Sequence, residues 1–221
     1  MRRGWELWLP FYVAAALVVG SAVAAYREVV PYFVGGGELQ DRVNLMAAAV
    51  PDPGLSIQAQ RLVLNDCKTT LLSVLGAAMT EEVKQAKDNC ETLAGGVVQD
   101  APLFSFAWYS LAVAQSLDGP SEAFQHSLAQ SQLTTANQWA MASLRLRLAY
   151  RFWSSISADL KEQLGADIVV FAYSGNGRRW LAQRYAENPA FREDITVNLE
   201  KAPPSIQRAF VAAVSSLGAK R

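Results

Sequence analysis

LWLPFYVAAALVVGSAVAAY, residues 7–26, is a run of twenty positions without a charge, and its reading decides the architecture of the whole chain. As a helix rising about 1.5 Å per residue it spans about 30 Å, the thickness of a hydrocarbon core. Trp5, Trp8 and Tyr12 stand towards its start and Tyr26 at its end, where amphipathic rings favour the headgroup level. Pro10 falls in the first turns, where a missing N–H costs least. The stretch that begins at Leu7 and ends at Tyr26 is therefore expected to sit in the bilayer, making residues 1–28 a single-pass transmembrane anchor. Arg2 and Arg3 precede it, whereas Arg27 is followed at once by Glu28, and this local basic excess keeps the N-terminus cytoplasmic. The expected location is the inner (cytoplasmic) membrane, with the C-terminal domain periplasmic or otherwise extracytoplasmic. A cleavable signal peptide is the alternative, since Ala22, Val23 and Ala24 form an A-x-A site; against it, the apolar run exceeds the usual h-region of about 7 to 15 residues. Either outcome puts the domain in the same compartment.

With 221 residues the chain accommodates this anchor and one domain of ordinary size. The formal charge is zero, but it is unevenly spread: residues 27–144 carry 6 basic and 12 acidic side chains, residues 145–221 carry 12 and 7. Acidic and basic helices that complement one another within one fold are the expectation; a basic partner-binding face is the alternative. Neutral total charge and an extracytoplasmic domain exclude nucleic acid as the expected partner.

Behind the anchor, VVPYFVGGG at residues 29–37 loses helical logic at Pro31 and at three consecutive glycines, and reads as a flexible joint. A short amphipathic piece over residues 38–50 ends at Pro51-Asp52-Pro53-Gly54, so residues 29–55 form a linker with one short amphipathic segment. Residues 56–221 form the extracytoplasmic helical domain. Apolar spacing predicts helices at 56–75, 80–96, 103–117, 120–134, 137–155, 158–173, 176–186, 190–200 and 204–217. Thr80 and Ser157 suit N-caps, and Pro120, Pro189 and Pro204 suit first turns. Ile206, Phe210, Ala213, Val214 and Leu217 make one apolar stripe, and Trp139, Leu146, Tyr150 and Trp153 another. Only Ile168-Val169-Val170-Phe171 has strand character, within a longer helical pattern. The fold class is all-α: an N-terminal transmembrane helix followed by antiparallel helical hairpins, because the links are too short for long crossovers.

Within residues 104–153, Trp108, Leu111 and Ala112, then Gly119 at a turn and Ala123 beyond it, are followed by a second start at Trp139, 31 residues after Trp108. This pattern resembles a tetratricopeptide repeat, whose period is about 34. It departs from that family in lacking a Tyr near Gln115 and a closing Pro near Thr134. The resemblance implies a curved stack of helix pairs with a protein-binding face, and an irregular bundle is the alternative. The chain also resembles small membrane-anchored helical proteins of bacterial envelopes.

Cys67 and Cys90 are the only cysteines, placed symmetrically about the turn expected near residues 76–80. In an antiparallel hairpin their side chains lie at one height, as a disulfide requires, and an oxidising compartment favours its formation. Two buried free thiols are the alternative; a redox-active C-x-x-C pair is absent.

Little in the sequence suggests catalysis. His126 is the single histidine, in a polar helical stretch where a solvated residue is expected, and no zinc helix, nucleophile elbow or phosphate loop is present. Ser174-Gly175-Asn176-Gly177-Arg178-Arg179 could offer backbone N–H groups to an anion, but reads better as a turn between helices. Glu81-Glu82 and Glu193-Asp194 are adjacent pairs that diverge on a helix and cannot face each other as acid and base. The aromatics at 104, 106, 108, 109, 139, 150, 152 and 153 are expected mostly in the core. The candidate binding group is Arg147, Arg151, Arg178, Arg179 and Arg184, which could converge on carboxylates or phosphates; a solvated face with local pairs to Asp159 or Glu162 is the alternative. The expectation is a non-catalytic scaffold or adaptor without cofactor or metal. It would organise an envelope assembly through contacts with other envelope proteins, and the resemblance to small membrane-anchored envelope proteins implies a role accessory to envelope polysaccharide biosynthesis or export. Direct binding of an anionic glycan or lipid through the arginine-rich face is the alternative.

Overall fold

The computed structural model describes residues 5–34 and 36–218, and among them it is wholly helical. Helix α1, Trp5–Val29, carries its apolar residues on every side: Leu9, Phe11, Val13, Leu17, Val18 and Val23 are all exposed. A helix apolar all round has no use for water, and Trp8–Phe33, with a mean hydropathy of 1.8, is long and apolar enough to cross a membrane. Arg2 and Arg3, on which the orientation reading rests, lie outside the described residues.

Short helices α2 (Pro31–Val34) and α3 (Leu39–Ala48) follow, then α4 (Ile57–Val74), α5 (Glu81–Asp100), α6 (Ser105–Gln115), α7 (Glu122–Thr134), α8 (Trp139–Tyr150), α9 (Ala158–Ala172), α10 (Gly175–Glu187), α11 (Pro189–Leu199) and α12 (Pro204–Gly218). Their starts are set by short polar side chains. The hydroxyls of Ser56, Thr80, Ser121, Ser157 and Ser174 each accept a backbone N–H three residues on, which satisfies one of the four free donors of a helix start. Pro189 and Pro204 open their helices as expected. Pro120 does not: Ser121 caps α7, leaving the proline one residue outside. Residues 151–156 also leave the helix expected over 137–155, which ends at Tyr150. The strand-like 168–171 remains within α9.

From α3 to α11 each helix packs on its neighbour in sequence and, from α4 onward, commonly on the next but one: α4 with α6, α6 with α8, α7 with α9, α9 with α11, α10 with α12. The interior is filled by Leu64, Leu71, Phe124, Leu128, Leu146, Leu148, Trp153, Leu164, Phe171 and Phe191, each such burial stabilising by about 1.5 to 3 kcal/mol. Trp153 packs edge-on to Phe191 with ring centres 4.4 Å apart, and its indole N–H donates to Asp194 at 2.7 Å.

Two charged residues lie in that interior with no exposure at all. The guanidinium of Arg145 on α8 donates to both carboxylate oxygens of Asp167 on α9, at 2.6 and 2.7 Å. It also donates to the carbonyls of Ser131 at 2.9 Å and Thr135 at 3.0 Å, at the end of α7. Burial pushes the Asp167 carboxyl up and the guanidinium beside it pulls the other way. Three helices are thereby joined at one point.

The Sγ atoms of Cys67 on α4 and Cys90 on α5 lie at bonding distance, with Cα atoms 5.7 Å apart. Asn89, beside Cys90, donates to the carbonyls of Met46 and Ala47 at 2.8 and 3.1 Å, closing the end of α3.

Residues 29–37, expected as a flexible joint, begin at the end of α1. Gly35 lies outside the described residues, and Gly36 and Gly37 adopt positive φ, as glycine readily does. The end of α1 is clasped by the segment 51–56. Arg27 donates to both oxygens of Asp52, at 2.8 and 2.9 Å. Glu28 accepts from the backbone N–H and hydroxyl of Ser56 and from the N–H of Leu55. Gly54 takes φ +73°, and a Cβ there would stand 2.6 Å from that of Ala59 and 3.3 Å from the Arg27 carbonyl. Pro51-Asp52-Pro53-Gly54, which reads as a helix breaker, here receives the end of α1.

Removing one partner of a buried ion pair strands the other. Arg145→Met is expected to cost about 3 to 5 kcal/mol in urea unfolding of the full chain in micelles, with much of that recovered by the further change Asp167→Leu. In the same assay, Cys67→Ala with Cys90→Ala is expected to cost about 3 kcal/mol, the loop-closure value for a loop of this length.

Candidate functional site

Helix α8 turns Arg145 inward, and Arg147, two residues on, therefore faces out. Arg151, one turn beyond Arg147, follows on the same side at the start of the 151–156 turn. Across from them α10 supplies Trp180 and, one turn later, Arg184. These residues wall a cleft of about 500 Å3, together with Leu72 from α4, Tyr109 from α6, and Leu144, Leu148 and Tyr150 from α8. Among the described residues no acidic side chain lines it. Its size falls within the range of small-molecule sites.

The arginines are held by rings more than by acids. The Arg147 guanidinium stands over Trp180 at 5.4 Å and Phe171 at 5.8 Å; that of Arg184 stands over Tyr150 at 5.2 Å and Trp180 at 5.7 Å. Trp180 and Tyr150 pack edge-on at 5.5 Å, so both guanidiniums share one aromatic support. Arg151 reaches the carbonyl of Leu75 at 3.5 Å. Arg184 also pairs with Glu187 at 2.5 Å, but its Nε is buried and finds no hydrogen-bond partner among the described residues. Tyr109 is buried in the cleft floor, and that burial pushes its phenol up and keeps the proton on, against the opposing pull of Arg151. The floor thus offers a neutral O–H and the rim three cations.

Of the five arginines singled out in the sequence, the structure brings together Arg147, Arg151 and Arg184. Arg178 does not join them: it donates to the carbonyls of Ala172 and Tyr173 at 2.9 and 3.0 Å, closing the end of α9. Arg179 binds Asn176 and lines a separate shallow hollow with Gln183 and Ser216. The Ser174 to Arg179 segment is a helix start, and the Gly177 N–H is taken by Ser174 at 2.8 Å. Among the described residues Arg147 and Arg151 form no ion pair with Asp159, Glu162 or any other acid.

Close ion pairs among the described residues do not join the acidic and basic halves of the chain. Every ion pair among the described residues has both members on the same side of residue 144, Lys87 with Asp88, Glu91 and Asp118 included. His126 is exposed, edge-on to Trp108 at 5.8 Å. Among the described residues no group of His, Cys, Asp or Glu is placed to hold a metal ion. A second, more apolar cleft of about 200 Å3 lies beside the joint, between Pro31, Leu45, Met46, Val50, Pro51 and Val63. On its wall burial raises the Asp66 carboxyl.

No family model matches the chain, and comparisons with curated proteins and with solved structures return no match.

The sequence reading missed the aromatic half of this cleft. Trp180 stands four residues before Arg184, a spacing that places ring and guanidinium on one face; that signal was legible. Tyr109 carried none, since its place in the cleft depends on α6 meeting α8. A cation–ring contact at an exposed position, as Arg147 makes, is worth only about 0.5 to 1 kcal/mol, and the long, exposed contact of Arg151 to the Leu75 carbonyl no more, so Arg147→Gln and Arg151→Gln are each expected to change the urea unfolding free energy by less than about 1 kcal/mol. A loss of several kcal/mol in either would mark the arginine as part of the scaffold instead.

Proposed function

We propose that this protein is a membrane-tethered helical adaptor. In this reading α1 crosses the inner membrane with its N-terminus cytoplasmic, and the domain stands in the periplasm or its equivalent. There it organises a cell-envelope assembly by protein contacts, in a role accessory to polysaccharide biosynthesis or export. The observation that carries this reading is the clasp between the end of α1 and residues 51–56. A loose tether would already raise the domain's effective concentration at the membrane. A clasped one also fixes which face it turns to its neighbours, which is what an adaptor needs. The packing of several helices on the next but one, α4 with α6, α6 with α8, α7 with α9, α9 with α11 and α10 with α12, supports a stack of helix pairs of tetratricopeptide kind, whose concave face takes protein partners.

A second reading is favoured by one observation, the convergence of Arg147, Arg151 and Arg184 on a cleft without acids. It makes the domain a direct binder of anionic groups on a glycan or lipid.

Photocrosslinking from exposed domain positions in native membranes tests the adaptor: envelope proteins are expected among the products, with lower yield when Arg27 and Glu28 are both changed to Ser. Crosslinks to no protein at all would overturn it. The clasp also has a pH signature. The hydrogen bond from Arg27 holds the Asp52 carboxyl below its ordinary value, so its contribution is fully present above about pH 4 and is lost as pH falls through the lowered value. Spin labels at positions 18 and 84 of the full chain in nanodiscs are expected to give a narrow distance distribution at neutral pH. That distribution should broaden in Asp52→Ser at all pH values and in the parent only under acid.

A further inference from the structure

The chemistry of the cleft narrows its ligand further than "anionic". Rested on the reading of the cleft as an anion site, we propose that it takes a phosphate-type oxyanion, a phosphomonoester or diphosphate, in preference to a carboxylate or a sugar ring.

Three observations lead there. A carboxylate carries one charge and two oxygens, which a single guanidinium fork satisfies. Three guanidiniums meet here, offset by one neighbouring acid, Glu187, outside the lining. The surplus matches a group with about −1.5 to −2 charges and three terminal oxygens. Second, the cleft is a poor place for a sugar to stack. Trp180, the ring best suited to it, already supports Arg147 and Arg184. A guanidinium seated on a ring keeps its N–H edge for an oxyanion, and this is the arrangement by which arginine holds phosphates. Third, donors are left over. Arg184 Nε is buried with no partner among the described residues, and the Tyr109 phenol, kept protonated, lies in the floor. A ligand with several acceptor oxygens can take the phenol O–H from the cleft, and the Arg184 Nε, which has no accessible surface of its own, once that side chain turns.

The phosphate could be borne by a soluble molecule or by a lipid headgroup. Leu72 on the cleft wall is sixteen residues along α4 from Ser56 at the clasp, which at about 1.5 Å per residue is about 24 Å of helix. The site is therefore separate from the anchor junction.

The test is calorimetric titration of the full chain in zwitterionic nanodiscs with pyrophosphate and, separately, with citrate. Pyrophosphate is expected to bind in the submillimolar range and at least tenfold more tightly than citrate. Arg147→Gln with Arg184→Gln should weaken it at least tenfold, while Arg178→Gln with Arg179→Gln leaves it unchanged. Tyr109→Phe, which keeps the ring, should weaken it by severalfold. Citrate binding as tightly as pyrophosphate, with the same dependence on Arg147 and Arg184, would overturn the phosphate assignment and leave the anion site standing. Binding of neither, or equal loss in the two arginine double variants, would overturn both. Replacing a fifth of the nanodisc lipid by phosphatidic acid separates the sources within the proposal. A fall in pyrophosphate affinity of threefold or more assigns the cleft to a headgroup, and unchanged affinity assigns it to a soluble phosphate.

Discussion

A guanidinium cut off from water must meet fixed partners on every side, and Arg145 does so by drawing on three helices at once. Its fork closes on Asp167 of α9, and its remaining donors go to backbone carbonyls at the end of α7. Such a pair adds little net stability over a well-packed apolar substitute, because desolvating two charges offsets most of their attraction. What it supplies is direction. A leucine at the same position could settle after a small rotation of α8; a bidentate arginine cannot. With α8 held in that rotation, Arg147 is turned outward towards α10, and the cleft has its first wall. The geometry of the exposed arginines is thus set by the one that is never exposed.

The joint at the other end of the domain works by a similar economy. Two adjacent residues at the end of α1, of opposite charge, take two different partners in one short segment: Arg27 takes Asp52, and Glu28 takes Ser56. Ser56 is at the same time the cap of α4. The first long helix of the domain therefore begins at the atom that receives the end of α1, and a change of angle in α1 is passed directly to α4. The exposed apolar residues around the joint, Tyr32, Phe33, Leu45, Val50 and Ile57 among them, lie where the chain leaves the apolar span.

Much of this was legible in the sequence, and the limits have physical causes. Helix positions followed from apolar spacing and caps, because both are local: Thr80, Ser157 and Pro189 act where a reader of the sequence would place them. The cysteines were legible because a hairpin fixes their relative height. Arg145 was hidden by its neighbours, since RLRLAYR looks like one basic surface. Yet Met141, Ala142, Leu148 and Ala149 stand three and four residues to either side of it, a spacing that places it in the buried stripe. Asp167 is flanked in the same way by Leu164, Val170 and Phe171. The clasp was beyond reach, because Pro-Asp-Pro-Gly announces a turn and is silent about what the turn holds. The departure of Arg178 and Arg179 from the arginine group has the same character: whether a side chain closes its own helix end or reaches across a cleft depends on packing, which spacing does not contain.

The bond between Cys67 and Cys90 brackets the turn at residues 76–80, every residue of which is exposed. Next to that turn, the carbonyl of Leu75 receives Arg151 at the cleft's edge. A peptidase that severed the loop would release the rim without releasing either fragment, since the sulfur bridge would still hold the two ends of the chain together. Outside the reducing interior of a cell such a cut would add one water and leave the two fragments joined, and would be felt as a change in how firmly the cleft is closed.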